Sequence, residues 1–171
     1  LIPSMQGFFV HVSDGSWPVT GTLAMNNSVR VIDLTQPLTK SDIDSRPLIR
    51  PTAEFSDDTV SADPVVIYFD EKATDKFDGQ LDALKLMNTD LLVPNLYAVG
   101  SDGLKLSISA LPVISDTLFR VPLGLNINRD GRIIFKISDL EGNLADMDIY
   151  ISDIAPKTAQ DMISDKDYRH E

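Results

Sequence analysis

Lys105-Leu106-Ser107-Ile108-Ser109 alternates polar and apolar residues one by one, and Asp146-Met147-Asp148-Ile149-Tyr150-Ile151 does so again further along. A period of two marks a β-strand with one buried face, because successive side chains leave the backbone on opposite sides. Outward from these two stretches, short runs rich in β-branched and aromatic residues recur at close, even spacing. They are Leu48 to Phe55, Val65 to Phe69, Ala83 to Met87, Leu96 to Val99, Leu118 to Leu125 and Arg132 to Ile137. Ser101-Asp102-Gly103 and Arg129-Asp130-Gly131 separate strands with the Gly that tight hairpins need. Phe77 to Met87 alone has helical spacing, and Gly79 inside it reduces the expectation to a loop with one helical turn leading into a strand. The expected class is all-β, an antiparallel β-sandwich of immunoglobulin-like or jelly-roll-like type.

Upstream, Gly7 to Val12, Val19 to Met25 and Ser28 to Ile32 read as a meander of strands broken by Asp14-Gly15 and Asn26-Asn27. The stretch 34–47 (LTQPLTKSDIDSRP) has two Pro and no sustained apolar period. The organisation expected is therefore strands ending a preceding β domain over 1–33, a linker over 34–47, and a β-sandwich over 48–171.

Composition narrows the function. With 43% hydrophobic residues in 171, a chain of this size buries roughly 70% of its unfolded surface and needs no disulfide or metal staple. The absence of Cys removes thiol nucleophiles, zinc-thiolate sites and iron-sulfur clusters. Asp and Glu number 26 against 15 Lys and Arg, a net charge of -11 that repels phosphate backbones and anionic lipid. Nucleic acid is thus not an expected partner, nor is membrane insertion, since no apolar run approaches bilayer length.

The words of the sequence carry a resemblance. Ile2-Pro3-Ser4-Met5-Gln6-Gly7-Phe8-Phe9-Val10, Gly21-Thr22-Leu23 and Asn27-Ser28-Val29-Arg30-Val31 resemble the end of a β-sandwich module of large secreted proteins of Bacteroidota. Pro47-Leu48-Ile49-Arg50, Val66-Ile67-Tyr68-Phe69-Asp70-Glu71-Lys72-Ala73-Thr74, Asp82-Ala83-Leu84-Lys85-Leu86, Asp102-Gly103-Leu104-Lys105-Leu106 and Val121-Pro122-Leu123-Gly124-Leu125 look like the module that precedes the sorting signal in type IX secretion cargo. The resemblance implies a non-catalytic sandwich on a secreted or outer-membrane-surface protein, serving as spacer, structural support or adhesion element. In that family pattern a further strand follows a tyrosine like Tyr168, whereas this sequence stops at Glu171. The expectation is a fragment whose partners are neighbouring domains of the same polypeptide, or a companion chain that supplies the missing strand.

Candidate chemistry is sparse. Asn126-x-Asn128-x-Asp130-Gly131 places oxygens at alternate positions before a Gly, like the first half of a calcium loop, but its twelfth position is Ile137 rather than Glu. Asn126, Asn128 and Asp130 are therefore the candidate calcium ligands, against a plain hairpin turn; no other cofactor is expected. Trp17, in a turn after Asp14-Gly15-Ser16, has the flat ring with an N–H donor that stacks on sugars. It is the candidate glycan-binding residue of an alternative carbohydrate-binding module, against packing on Pro18. Asp70 and Glu71 are the obvious pair for a glycosidase, yet neighbours on a strand point to opposite faces. His11 lies in an apolar strand and His170 next to last, where a chain is expected to fray, with no nucleophile elbow anywhere, so no catalytic residue is assigned. Tyr68, Phe69, Phe77, Tyr97, Phe119, Phe135 and Tyr150 are expected mostly in the core.

Overall fold

The structure, a computed structural model, describes residues 10, 12, 20–26, 46–114 and 118–170, leaving aside the side chains of Thr59 and Val60. The chain divides into two compact units, Leu1–Asp44 and Ser45–Glu171. In the first unit, residues 20–26 are exposed and join no sheet among the described residues. Val10 and Val12 are likewise exposed, and the rest of the expected meander, with His11 and Trp17, lies outside the described residues.

The second unit is all-β. Its strands are β1 (Leu48–Phe55), β2 (Asp58–Pro64), β3 (Val66–Phe69), β4 (Ala83–Leu84), β5 (Asn95–Val99), β6 (Lys105–Leu111), β7 (Leu123–Asn126), β8 (Ile133–Glu141), β9 (Tyr150–Asp153), β10 (Thr158–Asp161) and β11 (Tyr168–His170). Nine of them form one sheet in the order β11-β8-β1-β3-β6-β5-β7, with β2 on β1 and β4 on β6, while β9 and β10 pair separately. Every pairing is antiparallel except that of β3 with β6. That parallel pair needs a crossover, which opens with residues 70–82 and returns through β4 and β5 before β6 begins.

β1, β2 and β3 make one long hairpin. Thr52 faces Pro64 and Ile49 faces Ile67, so a single register runs through the break, and the Val65 N–H still donates to the Pro51 carbonyl at 3.0 Å. Pro51 itself brings no N–H to its ladder with β8. The register with β8 shifts there, and the extra residue, Ser138, donates its hydroxyl to the Arg50 carbonyl at 3.1 Å.

The sheet curls so that its two flanks share one core. Ala53 and Phe55 of β1, Leu96 and Ala98 of β5, Leu106 of β6 and Ile133 of β8 are all buried in one cluster with Val65. A second cluster on Ile67 and Phe69 takes in Leu144 from the 3₁₀ turn Gly142–Asp146. The opposite face carries Tyr68 and Ala110, covered by Ala73 and Leu81 of the crossover. A bulge at Ser107 sets which residue of β6 faces where. The register slips between Ala83 opposite Ile108 and Leu84 opposite Leu106, and the Ser107 hydroxyl lies 3.3 Å from both carbonyls of β4. The single apolar face expected of Leu106 and Ile108 is thereby split: Leu106 is 2% exposed and Ile108 is 37% exposed.

Other expectations change as well. Asp146 to Ile151 alternates only from Ile149, because Gly142–Asp146 is a 3₁₀ turn, opened by Gly142 at a φ of 70°. Tyr150, on the outward phase of that strand, is 60% exposed rather than core. Phe119 is also partly exposed, with its ring edge against Phe69 at 5.6 Å between centroids. Ser101-Asp102-Gly103 does turn β5 into β6, with Gly103 at a φ of 80°. Arg129-Asp130-Gly131 makes no hairpin, because β7 pairs with β5 and β8 with β1. Gly131 is small for another reason: a Cβ there would lie 2.9 Å from the Phe55 ring.

Candidate functional site

The constellation of side chains with chemical potential lies where the last strand meets the small sheet. Tyr168 and His170 are two apart on β11, so both project from one face. Pairing sets Tyr168 opposite Phe135, with the rings 6.2 Å apart, and His170 opposite Ile133. Asp153 and Thr158 are cross-strand partners closing the β9–β10 hairpin. The four side chains converge: the Tyr168 hydroxyl is 3.0 Å from Asp153 Oδ2 and 3.0 Å from Thr158 Oγ1, and His170 Nδ1 is 2.5 Å from the same Asp153 oxygen. The Ala155 N–H donates to Asp153 Oδ1 at 3.1 Å. Burial alone would raise the Asp153 carboxyl, but the Tyr168, Ala155 and His170 donors outweigh it and hold the group below the usual carboxylate range.

An aspartate on Nδ1 is the base-orienting half of a catalytic triad, fixing the tautomer that leaves Nε2 as acceptor. The nucleophile half does not follow. The Thr158 hydroxyl bonds to Tyr168 rather than to His170 among the described residues. What the cluster does physically is fasten the edge strand to the hairpin, assisted by Gln160, whose amide nitrogen donates to the Asp165 and Asp167 carbonyls at 2.9 and 3.1 Å.

Carboxylates elsewhere fill the same role, and Asp82, Asp102 and Asp63 do so by accepting from backbone N–H groups. Asp82 accepts from Ala110 N–H at 2.7 Å and continues the short β4 by one bond. Asp102 takes the Phe77 and Leu104 N–H groups at 3.0 and 3.1 Å, tying the crossover to the β5–β6 turn, and these two bonds lower its carboxyl. Asp63 accepts from Leu96 N–H at 2.7 Å, which joins β2 to β5 across the curl. Asp57 holds Arg129 through both guanidinium ends, while that guanidinium stacks on Phe55 at 3.8 Å.

Of the residues singled out from sequence, Asn126 ends β7, and Asn128 and Asp130 follow it on the exposed segment that crosses to β8. The Asn128 amide nitrogen donates to the Asn88 carbonyl at 3.4 Å. Among the described residues no group of three or more His, Asp or Glu gathers closely enough to hold a metal. Asp70 and Glu71 stand just after β3, in the turn rather than in a strand. Asp70 accepts from Lys72 N–H at 2.9 Å and from Arg46 at 3.1 Å, and these two partners, in that order, keep its carboxyl low. Sequence reasoning missed Asp153 and Thr158, which no local spacing connects to His170, and Tyr168, which strand spacing sets on the same face as His170.

A family model described as "Domain of unknown function (DUF8693)" matches residues 1–171. Neither the curated proteins nor the solved structures gave a match.

Proposed function

The chain belongs to the DUF8693 family, whose model spans it end to end, and on that premise we propose that it is a non-catalytic structural and interaction module of a secreted or cell-surface protein. It acts as a spacer or adhesion element that presents neighbouring domains. One observation carries this reading: among the described residues, carboxylates with chemical potential are engaged in cross-ties between elements of the fold. Asp63, Asp82, Asp102 and Asp153 each bond an element other than their own. A catalytic or ligand-binding carboxylate has to keep lone pairs for its substrate, whereas these direct theirs to backbone N–H groups and neighbouring side chains. The acidic surface supports the same role, since a net charge of -11 keeps a module dispersed without binding nucleic acid. Its partners in this reading are neighbouring domains, or a companion chain whose strand adds where β7 and β11 end the sheet.

The test replaces the tying carboxylates singly, as Asp82→Asn, Asp102→Asn and Asp153→Asn, and measures the urea midpoint beside a screen for glycan binding and glycoside hydrolysis. Structural ties lower the midpoint in every variant and leave the screen blank. A carboxylate whose loss abolishes binding or turnover, with an unmoved midpoint, would overturn the reading.

A further inference from the structure

Asp63 and Lys85 meet inside the fold. Asp63 sits near the end of β2, with its backbone paired to Ala53, and Lys85 directly follows β4, with its N–H donating to the Lys105 carbonyl at 2.9 Å. Both backbones are thus pinned to different strands. Lys85 Nζ is in contact with Asp63 Oδ2, and the two side chains are only 5% and 9% exposed. Leu96, which gives its N–H to the same Oδ2 at 2.7 Å, is itself fully buried, as is Val65 two residues on from Asp63.

A lysine ammonium has three donors, and among the described residues Asp63 is the partner this one has. Holding two full charges in such surroundings forfeits much of the hydration of both ions. The same two groups can shed both charges by condensing, and a fixed, dry juxtaposition is what makes a slow bimolecular reaction fast within one molecule.

We infer that Lys85 and Asp63 form an intramolecular isopeptide bond. One proton passes from Nζ to the carboxylate, leaving a neutral amine beside a carboxylic acid protonated on Oδ1. The Nζ lone pair attacks Cγ, and the negative charge that develops on Oδ2 is met by the Leu96 N–H, a preorganised donor of the oxyanion-hole kind. A second proton moves from nitrogen to Oδ1, the Cγ–Oδ1 bond breaks, and Oδ1 departs as water. The product is a secondary amide, with Oδ2 as its carbonyl oxygen and one hydrogen left on Nζ. No oxidant or cofactor enters, and the bond closes a covalent loop between positions 22 apart. This inference does not depend on the spacer reading, although a covalent brace suits a module that carries load.

The test is intact-mass spectrometry of the purified chain under denaturing conditions, followed by tryptic mapping. The expected mass is one water below that of the sequence. The expected map has a branched peptide that joins the segment carrying Asp63 to the segment carrying Lys85, uncut after Lys85 although cut at Lys72 and Lys76. Lys85→Arg keeps a cation but lacks the amine, so its mass equals that of its own sequence and its urea midpoint falls. The inference is overturned by a native chain at full sequence mass with trypsin cutting after Lys85. It is equally overturned if the missing water persists in Lys85→Arg or maps to succinimide at Asp78-Gly79, Asp102-Gly103 or another Asp-Gly pair.

Discussion

Replacing Gly124 by Ala puts a methyl group where the structure has placed a ring. Gly124 of β7 faces Tyr97 of β5, and a Cβ built on it lies 2.2 Å from Tyr97 Cε2 and 2.5 Å from Cζ. Carbon atoms rest at about 3.5–4.0 Å, so the ring has to withdraw by roughly 1.5 Å. It cannot settle deeper: Tyr97 is already only 9% exposed, and the Lys105 ammonium stands 4.7 Å from the ring centroid. The way left is outward. An aromatic side chain buries about 150–250 Å². Uncovering a third of that at about 25 cal/mol per Å² costs ~1–2 kcal/mol. Weakening the cation–π contact adds ~0.5 kcal/mol. The expected destabilisation is about 2 kcal/mol, within the range of ~1–3 kcal/mol for overpacked sites. The backbone contributes no strain, because Gly124 is not among the positive-φ glycines. In a Tyr97→Val background the same Gly124→Ala change should therefore reverse sign and stabilise by ~0.5 kcal/mol through the unfolded state. Urea unfolding of the four chains gives the cycle directly. An equal effect of Gly124→Ala in both backgrounds would refute the argument.

Acid should destabilise the fold in a defined window. Asp70, Asp102, Asp153 and Asp161 are all held below the usual carboxylate range by their donors. A depressed folded value means that the stabilisation is whole above the unfolded value of about 3.9 and is lost as pH falls through the lower folded values. Their contribution to the urea midpoint should stay flat from neutral pH until it nears that value and fall below it; a decline from these groups that began near neutrality would contradict the assignment. Tyr168→Phe keeps the ring on Phe135 but removes the bonds to Asp153 and Thr158, at an expected cost of ~1–2 kcal/mol, with faster amide exchange in β11 than elsewhere. Uniform exchange across the sheet would count against a local fastening. Excess EDTA or added Ca²⁺ should leave the melting temperature unmoved, since an ion bound to the folded state raises stability. A calcium-dependent rise that Asp130→Ala removes would reinstate Asn126, Asn128 and Asp130 as ligands.

The fold was legible where the pattern is local. The run Leu48 to Phe55 is β1 to the residue, because β-branched and aromatic residues there lie between two clear breakers. β2 was not legible: Asp58–Pro64 holds two Asp and a Pro, poor strand residues, and forms because β1 templates it and Asp63 finds partners at Lys85 and Leu96. Tyr150 was misassigned although its own periodicity sets it opposite Ile149 and Ile151. The splitting of Leu106 from Ile108 depends on a bulge fixed by the two-residue strand β4, which no period-two reading contains. Parallel pairing of β3 with β6 and the meeting of His170 with Asp153 are long-range choices made by the whole core. His170, next to last in the sequence and so expected to fray, is fastened by its contact with Asp153 of the hairpin.

The most direct trial of the spacer reading is a binding screen of the folded chain against a broad polysaccharide and glycan panel, with Trp17→Ala beside it. A blank panel from both chains is expected of a module whose work is structural. Saturable glycan binding by the native chain, lost in a Trp17→Ala variant with an unchanged melting temperature, would contradict that reading and make the protein a carbohydrate-binding module.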